Sequence, residues 1–447
     1  MIDISTPYSP RDALIIAADD TDSSTWMCTT FLATELVRAL PDLDVIGLPR
    51  LVRLNPAVPW KTRGNGAIGI RVGKGKGLPR LIGRIGERDI LSYARSAEEP
   101  DADEVLERCR PVLERWSQIE DSDPGLAVCP RPPRPDLYLR AVSEIIPKED
   151  AVAALREVDA RTCEINSGRG LIGAAAAASW VPRDRTYEVL TYRRQDLWGS
   201  PREVSSKDVS LLDERFPSTF NNFDAITGRP AIVPHTTCPI LYGIRGDSPM
   251  DLYEAYRSIH SEPVDRWLLF ISNQGTDDHV LREWTDLVPN RSYEVEGEVL
   301  APPRTVPGGH VIFALSSRAG PLECAAYEPS KGFRDLARAL APGDRVKVVG
   351  ELREQPRTLN LEKFQVISLA PARVVSNPPC PRCGKNMKSA GRGQGYRCRR
   401  CGTAADRQKV SEGQRALTPG WYEPPVCSRR HLSKPLKRMG LTSTIVV

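Results

Sequence analysis

Short uninterrupted apolar runs alternate along this chain with stretches whose apolar positions recur every three to four residues. That mixture predicts both strands and helices. The first run, residues 13–18 (ALIIAA), reads as a buried strand. It ends in Asp19-Asp20-Thr21-Asp22-Ser23-Ser24, after which Phe31, Leu32, Leu36 and Leu40 keep helical spacing. A Ser or Thr ahead of that run can cap the helix. The chain therefore opens as strand, acidic loop, helix. IGLPRLVRL and IGIRV are strand candidates around a polar hinge at residues 55–66, and residues 92–119 read as a charged helix. Residues 121–136 are rich in Pro and read as a linker or an exposed loop.

A second mixed block covers roughly residues 140–272. It holds an Ala-rich helix after GRGLIG, strands YEVLTYR, PILYGIR and RWLLFIS, and helix MDLYEAYRSIH. This order suits a small ferredoxin-like sandwich. Residues 291–370 change character, with five strand candidates and one helical run, GFRDLARAL, between the third and fourth. That is the order of an OB-fold barrel, a scaffold that commonly binds single-stranded nucleic acid. No fixed-period repeat is present. The expected class is α+β and multidomain, with divisions at 1–140, 141–275, 290–372, 376–405 and a basic tail at 406–447.

The 447 residues are 40% apolar and 27% charged, ordinary for a soluble protein with real cores. No apolar run approaches the ~20 residues of a membrane helix, and the N-terminus lacks the features of a signal peptide. Eleven cysteines without a secretory signal read as free thiols in a reducing, cytoplasmic setting. The overall charge of +5 hides an asymmetry: from residue 376 onward there are 15 Lys and Arg against 3 Asp and Glu. A basic end on a mildly acidic body points to a polyanionic partner.

The strongest chemical signal is Cys380-x2-Cys383-x14-Cys398-x2-Cys401. Two such knuckles close a tetrahedral thiolate site for Zn²⁺, and four thiolates leave no open position, so the metal is structural. Arg392, Tyr396 and Arg397 between the knuckles suit phosphate contact and base stacking, against the alternative of a solvated loop. Asp19, Asp20 and Asp22 repel one another unless a cation sits among them. Mg²⁺ held by Asp19 and Asp20, arriving with substrate phosphates, fits as well as an acidic helix cap does. Lys61, Arg63, Asn65 and Gly66 could supply the matching clamp for a triphosphate, although such turns are also common hairpins. No Walker P-loop is present, and GRGLIG at 168–173 lacks the preceding strand of a dinucleotide site. The five histidines show no metal-ligand spacing and read as structural or solvated. The run at 428–438, with Arg429 and Arg430, reads as an arm for an RNA backbone or as a solvated tail.

Taken together these segments resemble one family, the archaeal tRNA 2-agmatinylcytidine synthetases. The matching stretches include DDTDSSTWMCTTFLA (19–33), GLPRLVRLNPAVPWKTRGNGA (47–67), GRGLIGA (168–174), CPILYGIRGDS (238–248), the knuckle region (380–403) and RRHLSKPLKRM (429–439). The resemblance runs from about residue 14 to 439. It implies a kinase-like domain, a ferredoxin-like domain, an OB-fold and a zinc ribbon. It also implies ATP-dependent attachment of agmatine to C2 of the wobble cytidine in the CAU anticodon of an isoleucine tRNA, by way of a phosphorylated base. Thr29 matches the family's self-phosphorylated threonine. Ala17-Ala18 and Trp26 stand where the family pattern has glycine. No obligate protein partner is implied, and the resemblance assigns no agmatine-binding residue here; Asp224 and Asp265 are the carboxylate candidates. The alternatives are a tRNA-binding adaptor without turnover, or an RNA-modifying enzyme using another amine.

Overall fold

The computed structural model describes residues 13–24, 26–62, 64–371, 373–391, 393–406 and 409–441. Arg63 and Arg392 lie outside the described residues.

One sheet of twelve strands runs through the first 272 residues: β1 (Leu14–Asp19), β2 (Asp44–Ile46), β3 (Arg50–Arg53), β4 (Gly66–Gly73), β5 (Arg80–Ile85), β6 (Arg88–Tyr93), β7 (Gly125–Cys129), β8 (Arg161–Glu164), β9 (Thr186–Arg193), β10 (Thr219–Phe220), β11 (Ile240–Gly246) and β12 (Val264–Ser272). Its order is β8-β7-β1-β4-β2-β6-β5-β12-β9-β11-β10, and β3 pairs with both β4 and β12, which closes a circuit of six strands. The sheet is thus continuous across residue 140. Helices α1 (Thr29–Ala39), α2 (Ala102–Trp116), α5 (Leu171–Ser179) and α6 (Pro249–Arg257) pack on it, and α3 (Pro135–Ser143) and α4 (Lys148–Arg156) pack on α5. The Pro-rich linker expected at 121–136 is corrected: it contains β7, five buried residues between β8 and β1. GLAVC is an uninterrupted small and apolar run, the pattern of a strand covered on both faces, and its flanking prolines stand outside the ladder.

α5 is nine residues of Leu, Ile, Gly, Ala and Ser, buried at every position except Ile172. Small side chains let it lie close across β1, β4 and β7. Arg50 donates from Nη1 to the carbonyls of Ala177 and Ala178 (3.0 and 3.1 Å), satisfying the end of the helix from within the core.

A second core lies in a closed five-stranded barrel: β13 (Arg291–Val299), β14 (His310–Ser317), β15 (Gly320–Ala326), β16 (Arg345–Leu352) and β17 (Leu359–Ser368), with α7 (Gly332–Arg338) between the third and fourth. β13 pairs with β14 and β16, and β17 closes the ring on β15 in parallel. This is the strand-and-helix order read from the sequence. A two-stranded neck, Arg373–Ser376 with Lys409–Glu412, leads to and from the cysteine ribbon.

The C-terminal segment is a strap rather than a free tail. Gly420–Tyr422 adds to β17, and Leu432 and Leu436 are buried. Lys363 of the barrel, 1% exposed, places Nζ on both oxygens of Asp277 (2.9 and 2.7 Å) and on the carbonyl of Lys434 (2.8 Å). All three ammonium protons are used. Arg438 reaches Asp184 (2.9 Å) and Asp247 (2.8 Å) of the sheet body.

Asp277→Ala strands the Lys363 ammonium in the interior. The expected cost is about 3–5 kcal/mol, read as a lowered denaturation midpoint, whereas Arg304→Ala on the exposed barrel surface should cost under ~1 kcal/mol.

Candidate functional site

A cavity of about 710 Å³ opens where β1, the 55–66 turn, the start of α5, strands β9 and β11, and the strap converge. Its floor is the end of β1. Asp20 adopts φ 56°, a left-handed conformation that Asp tolerates, and this turns the loop back over the sheet. Asp19, Asp20 and Asp22 all line the cavity. Burial, then the neighbouring Asp20 carboxylate, pushes the Asp19 carboxyl up to about 8. Asp20 accepts from Arg169 Nη2 (2.9 Å) and Nε (3.2 Å); burial nevertheless raises its carboxyl above the ordinary range. Asp22 takes the hydroxyl of Thr62 (2.9 Å).

The glycines of GRGLIG have a steric purpose. A Cβ on Gly173 would stand 1.8 Å from Asp19 Oδ2, and one on Gly170 would stand 2.4 Å from the Asp19 carbonyl. Gly125, opposite Asp19 in β7, would clash with Leu171 N at 2.1 Å. Absent side chains therefore bring the start of α5 onto the acidic loop, and Arg169 with it.

Thr29 begins α1, is buried, and accepts the Thr21 hydroxyl (3.1 Å) at the cavity wall. Cys28, the residue before the helix, makes no side-chain cap and the first turn carries no acid, and the amide end of the helix dipole lies at the cavity wall. The departures from the family pattern are accommodated. The left-handed residue is Met27 (φ 65°), and Trp26 packs edge-on against Trp198 at 5.9 Å. Ala17 and Ala18 are interior residues of β1.

Of the expected clamp, Lys61 lines the cavity with its ammonium on the Pro56 carbonyl. Partial burial, then Arg430, lowers its affinity for a proton. Asn65 lines the cavity but donates Nδ2 to the Asn55 carbonyl (2.8 Å), which shapes the turn. Gly66 sits against Arg53, whose Nη1 a Cβ there would approach to 2.9 Å. Arg429 and Arg430 are also cavity residues, each committed to carboxylates: Arg429 to Glu423 at 2.8 Å, Arg430 to Glu351 and to Glu362 at 3.5 Å. Asp224 lines the cavity with its oxygens on the amides of Ile226, Thr227 and Cys427, which lower its pKa against the effect of burial. Asp265 lies elsewhere, paired with Arg266 at 2.7 Å. The sequence reading passed over Arg53, Trp60, Glu188, Arg245 and His431, all in the wall. Lone charged residues at strand ends carry no local signature, and the fold alone gathers them.

The ribbon is a separate site. Among the described residues it is the sole group of three or more His, Cys, Asp or Glu side chains with convergent ligand atoms. Sγ separations of 3.4 Å (Cys380–Cys401), 3.5 Å (Cys383–Cys398) and 3.7 Å (Cys383–Cys401) approach the ~3.8 Å edge of a tetrahedron with 2.3 Å Zn–S bonds. The donor set fits Zn²⁺. Gly384 and Gly402 take φ 69° and 75° in matching knuckle turns. Tyr396 packs on the small cysteine core, while Arg397 is exposed.

With this geometry in place, comparison with known proteins is decisive. Family models match residues 15–167 (TiaS TCKD domain), 168–279 (TiaS FLD domain) and 377–417 (TiaS C-terminal zinc ribbon domain). The tRNA(Ile2) 2-agmatinylcytidine synthetase TiaS of Methanosarcina mazei is 41% identical over 95% of this chain and 97% of its own. The chain belongs to the TiaS family. The TiaS of Archaeoglobus fulgidus is 39% identical, again over 95% of this chain and 97% of its own. A solved TiaS–tRNA(Ile2)–ATP complex superposes with TM-score 0.84 at 36% identity, covering 98% of this chain and 100% of that one. A TiaS–tRNA(Ile2)–AMPCPP–agmatine complex gives 0.81 at 34%, with the same coverage.

The ribbon's own core is three residues, so its order rests on the metal. Chelation should open residues 380–403 to trypsin, which has many Lys and Arg targets there, while the sheet body stays intact. Rapid cleavage of the body on the same timescale would contradict this.

Proposed function

We propose that this chain is an ATP-dependent ligase that joins agmatine to C2 of the wobble cytidine in the CAU anticodon of tRNA(Ile2). The reading is supported above all by near-full-length similarity to TiaS proteins, including one solved with tRNA(Ile2), an ATP analogue and agmatine. The cavity suits it, because it gathers Asp19, Asp20, Asp22, Thr29 and Lys61 in one place. An adaptor without turnover would have no use for enclosed carboxylates beside an uncapped helix start.

The chemistry follows from a poor electrophile. The C2 carbonyl oxygen of cytosine leaves badly, and phosphorylating it from ATP lets an amine displace phosphate. The N-terminal part would act as a kinase-like domain, for which positioning and charge are the main demands. Asp19 and Asp20 would hold Mg²⁺, which when bound offsets the charge of the transferring phosphoryl group. Asp20 exchanges some of its hold on Arg169 to do so. Lys61 and Arg63 would grip nucleotide phosphates, aided by the turn that Asn65 and Gly66 shape. Thr29 is the hydroxyl for self-phosphorylation, at the end of a helix whose dipole favours the product. The wobble base must leave the anticodon stack to enter the cavity. The barrel, read as an OB-fold, and the ribbon would hold the RNA, the ribbon through Arg392, Tyr396 and Arg397 between its knuckles. Arg429 and Arg430, in the cavity wall, would meet RNA only through that cavity. Asp224 and the acidic loop are the cavity carboxylates nearest to hand for a guanidinium ligand, since Glu188 is spent on Arg245 and Gln274.

Incubation with ATP, agmatine and the CAU-anticodon tRNA, followed by nucleoside mass analysis, should yield 2-agmatinylcytidine. Asp20→Ala should lower the yield at least ~100-fold with tRNA binding retained. Full product from that variant would remove the acids from the mechanism.

Joint replacement of Arg392 and Arg397 by Ala should weaken tRNA binding and reduce the slope of log affinity against log salt by about one per lost phosphate contact. Binding of ATP in the sheet body should be unchanged. An unaltered slope would make the ribbon a scaffold only.

A further inference from the structure

We propose that Arg53, Arg245 and His431 form a second anion subsite in the cavity, built for a phosphate monoester and separate from the acidic loop. Arg53 leaves the end of β3 with its main chain clamped by Asn273, which accepts from Arg53 N (2.7 Å) and donates to its carbonyl (2.8 Å). The space around its guanidinium is kept by missing side chains. A Cβ on Gly64 would stand 2.5 Å from Nη1, and one on Gly66 would stand 2.9 Å away. Among the described residues the guanidinium makes one hydrogen bond, a long one of 3.4 Å to the Gly64 carbonyl, and its buried Nε has no partner. Most of its five donors are therefore unspent, which is costly for a group withdrawn from water.

Arg245 faces it from β11 and spends Nε on Glu188 (3.0 Å), a carboxylate already shared with Gln274. His431 arrives on the strap, fixed by its carbonyl accepting from Gly275 N (2.8 Å). Its ring lies 3.3 Å from where a Gly64 Cβ would be, and among the described residues it makes no hydrogen bond. Enclosure, then Arg53 and Arg245, drives its pKa well below the ordinary value, so it enters as a neutral donor and not a third cation. The other titratable groups acting on Arg53 are Glu188, Cys28 and Asp22, and Asp22 is held by Thr62. Two guanidiniums in one enclosed wall repel each other, and a dianion between them removes that cost. The guanidinium end of an amine substrate is excluded from this position by the same charge.

The proposal rests on the ligase reading for its place in the reaction. When the amine attacks, a C2–N bond forms and the C2–O bond breaks. The oxygen and its electron pair leave with the phosphate, and the proton lost by the amine ends on that phosphate. The subsite would hold this leaving group.

The test titrates inorganic phosphate into the full-length protein saturated with AMPCPP and Mg²⁺, followed by calorimetry. One phosphate should bind per chain. Arg53→Met and Arg245→Met should each weaken binding about tenfold or more, as loss of a charged hydrogen-bond donor does. Arg257→Met, on the exposed side of α6, should bind as the parent does. Methylguanidinium added to Arg53→Ala should restore binding, which an unfolded variant could not show. Abolition of phosphate binding by AMPCPP in the parent would make the cradle part of the nucleotide's own site. Unweakened binding by Arg53→Met would equally overturn the proposal. Nucleoside mass analysis reads the ligase assignment independently, so either can fail alone.

Discussion

The geometry of the cavity depends on a buried ammonium that lies outside it. Lys363 belongs to the barrel, Asp277 to the segment leaving the sheet body, and the Lys434 carbonyl to the strap. Asp277 Oδ1 also accepts from Lys434 N at 2.6 Å. The sheet body, the barrel and the strap thus meet at one fully satisfied charge. A buried pair of this kind contributes little net stability compared with apolar packing, but it tolerates only one arrangement. That arrangement carries residues 429–431 into the cavity wall. Nearby, Arg438 on Asp184 holds the strap to the body, and His279 on Glu362 at 3.0 Å holds the body to the barrel.

Within the cavity, charges of both signs are interleaved. Asp20 on the acidic loop holds Arg169 and Glu188 holds Arg245, while the Arg53 guanidinium has only the Gly64 carbonyl among the described residues. Arg169 and Trp60 bridge the acid side to the mouth, the guanidinium 5.9 Å from the indole centroid. Such a densely charged chamber suits a reaction in which a cation-bound polyphosphate, a flat base and an amine must share one enclosure. Close approach of α5 makes the acid side compact, and it requires hydrogen at Gly125, Gly170 and Gly173 where any other residue brings a carbon.

Much of this was legible from the residues. The opening strand, acidic loop and helix followed from ALIIAA and the spacing of Phe31, Leu32 and Leu36. The barrel's five strands and one helix followed in order. The cysteine knuckles declared their metal chemistry by spacing alone. What escaped was whatever depended on the third dimension. β7 was hidden because prolines at its ends outweighed GLAVC as a signal. The strap was read as a tail because Arg429, Arg430, Lys434 and Arg438 look solvated until Glu423, Glu351, Asp184 and Asp247 are placed beside them. His431, one of five unremarkable histidines, gained its position only from that folding back.

The strap also imposes an order on biosynthesis. Residues 13–272 can complete their sheet as they emerge, and the barrel can close behind them, because each has its own core. The wall that includes Arg430 and His431 cannot form until the strap, which follows the barrel and the ribbon in the chain, has left the ribosome. A chain cut ahead of the strap would keep most of both cores, short of Leu432 in one and Tyr422 in the other, and its zinc ribbon, yet lack a finished reaction chamber. Arrival of the strap is therefore registered at the cavity itself, whose wall stays open without it.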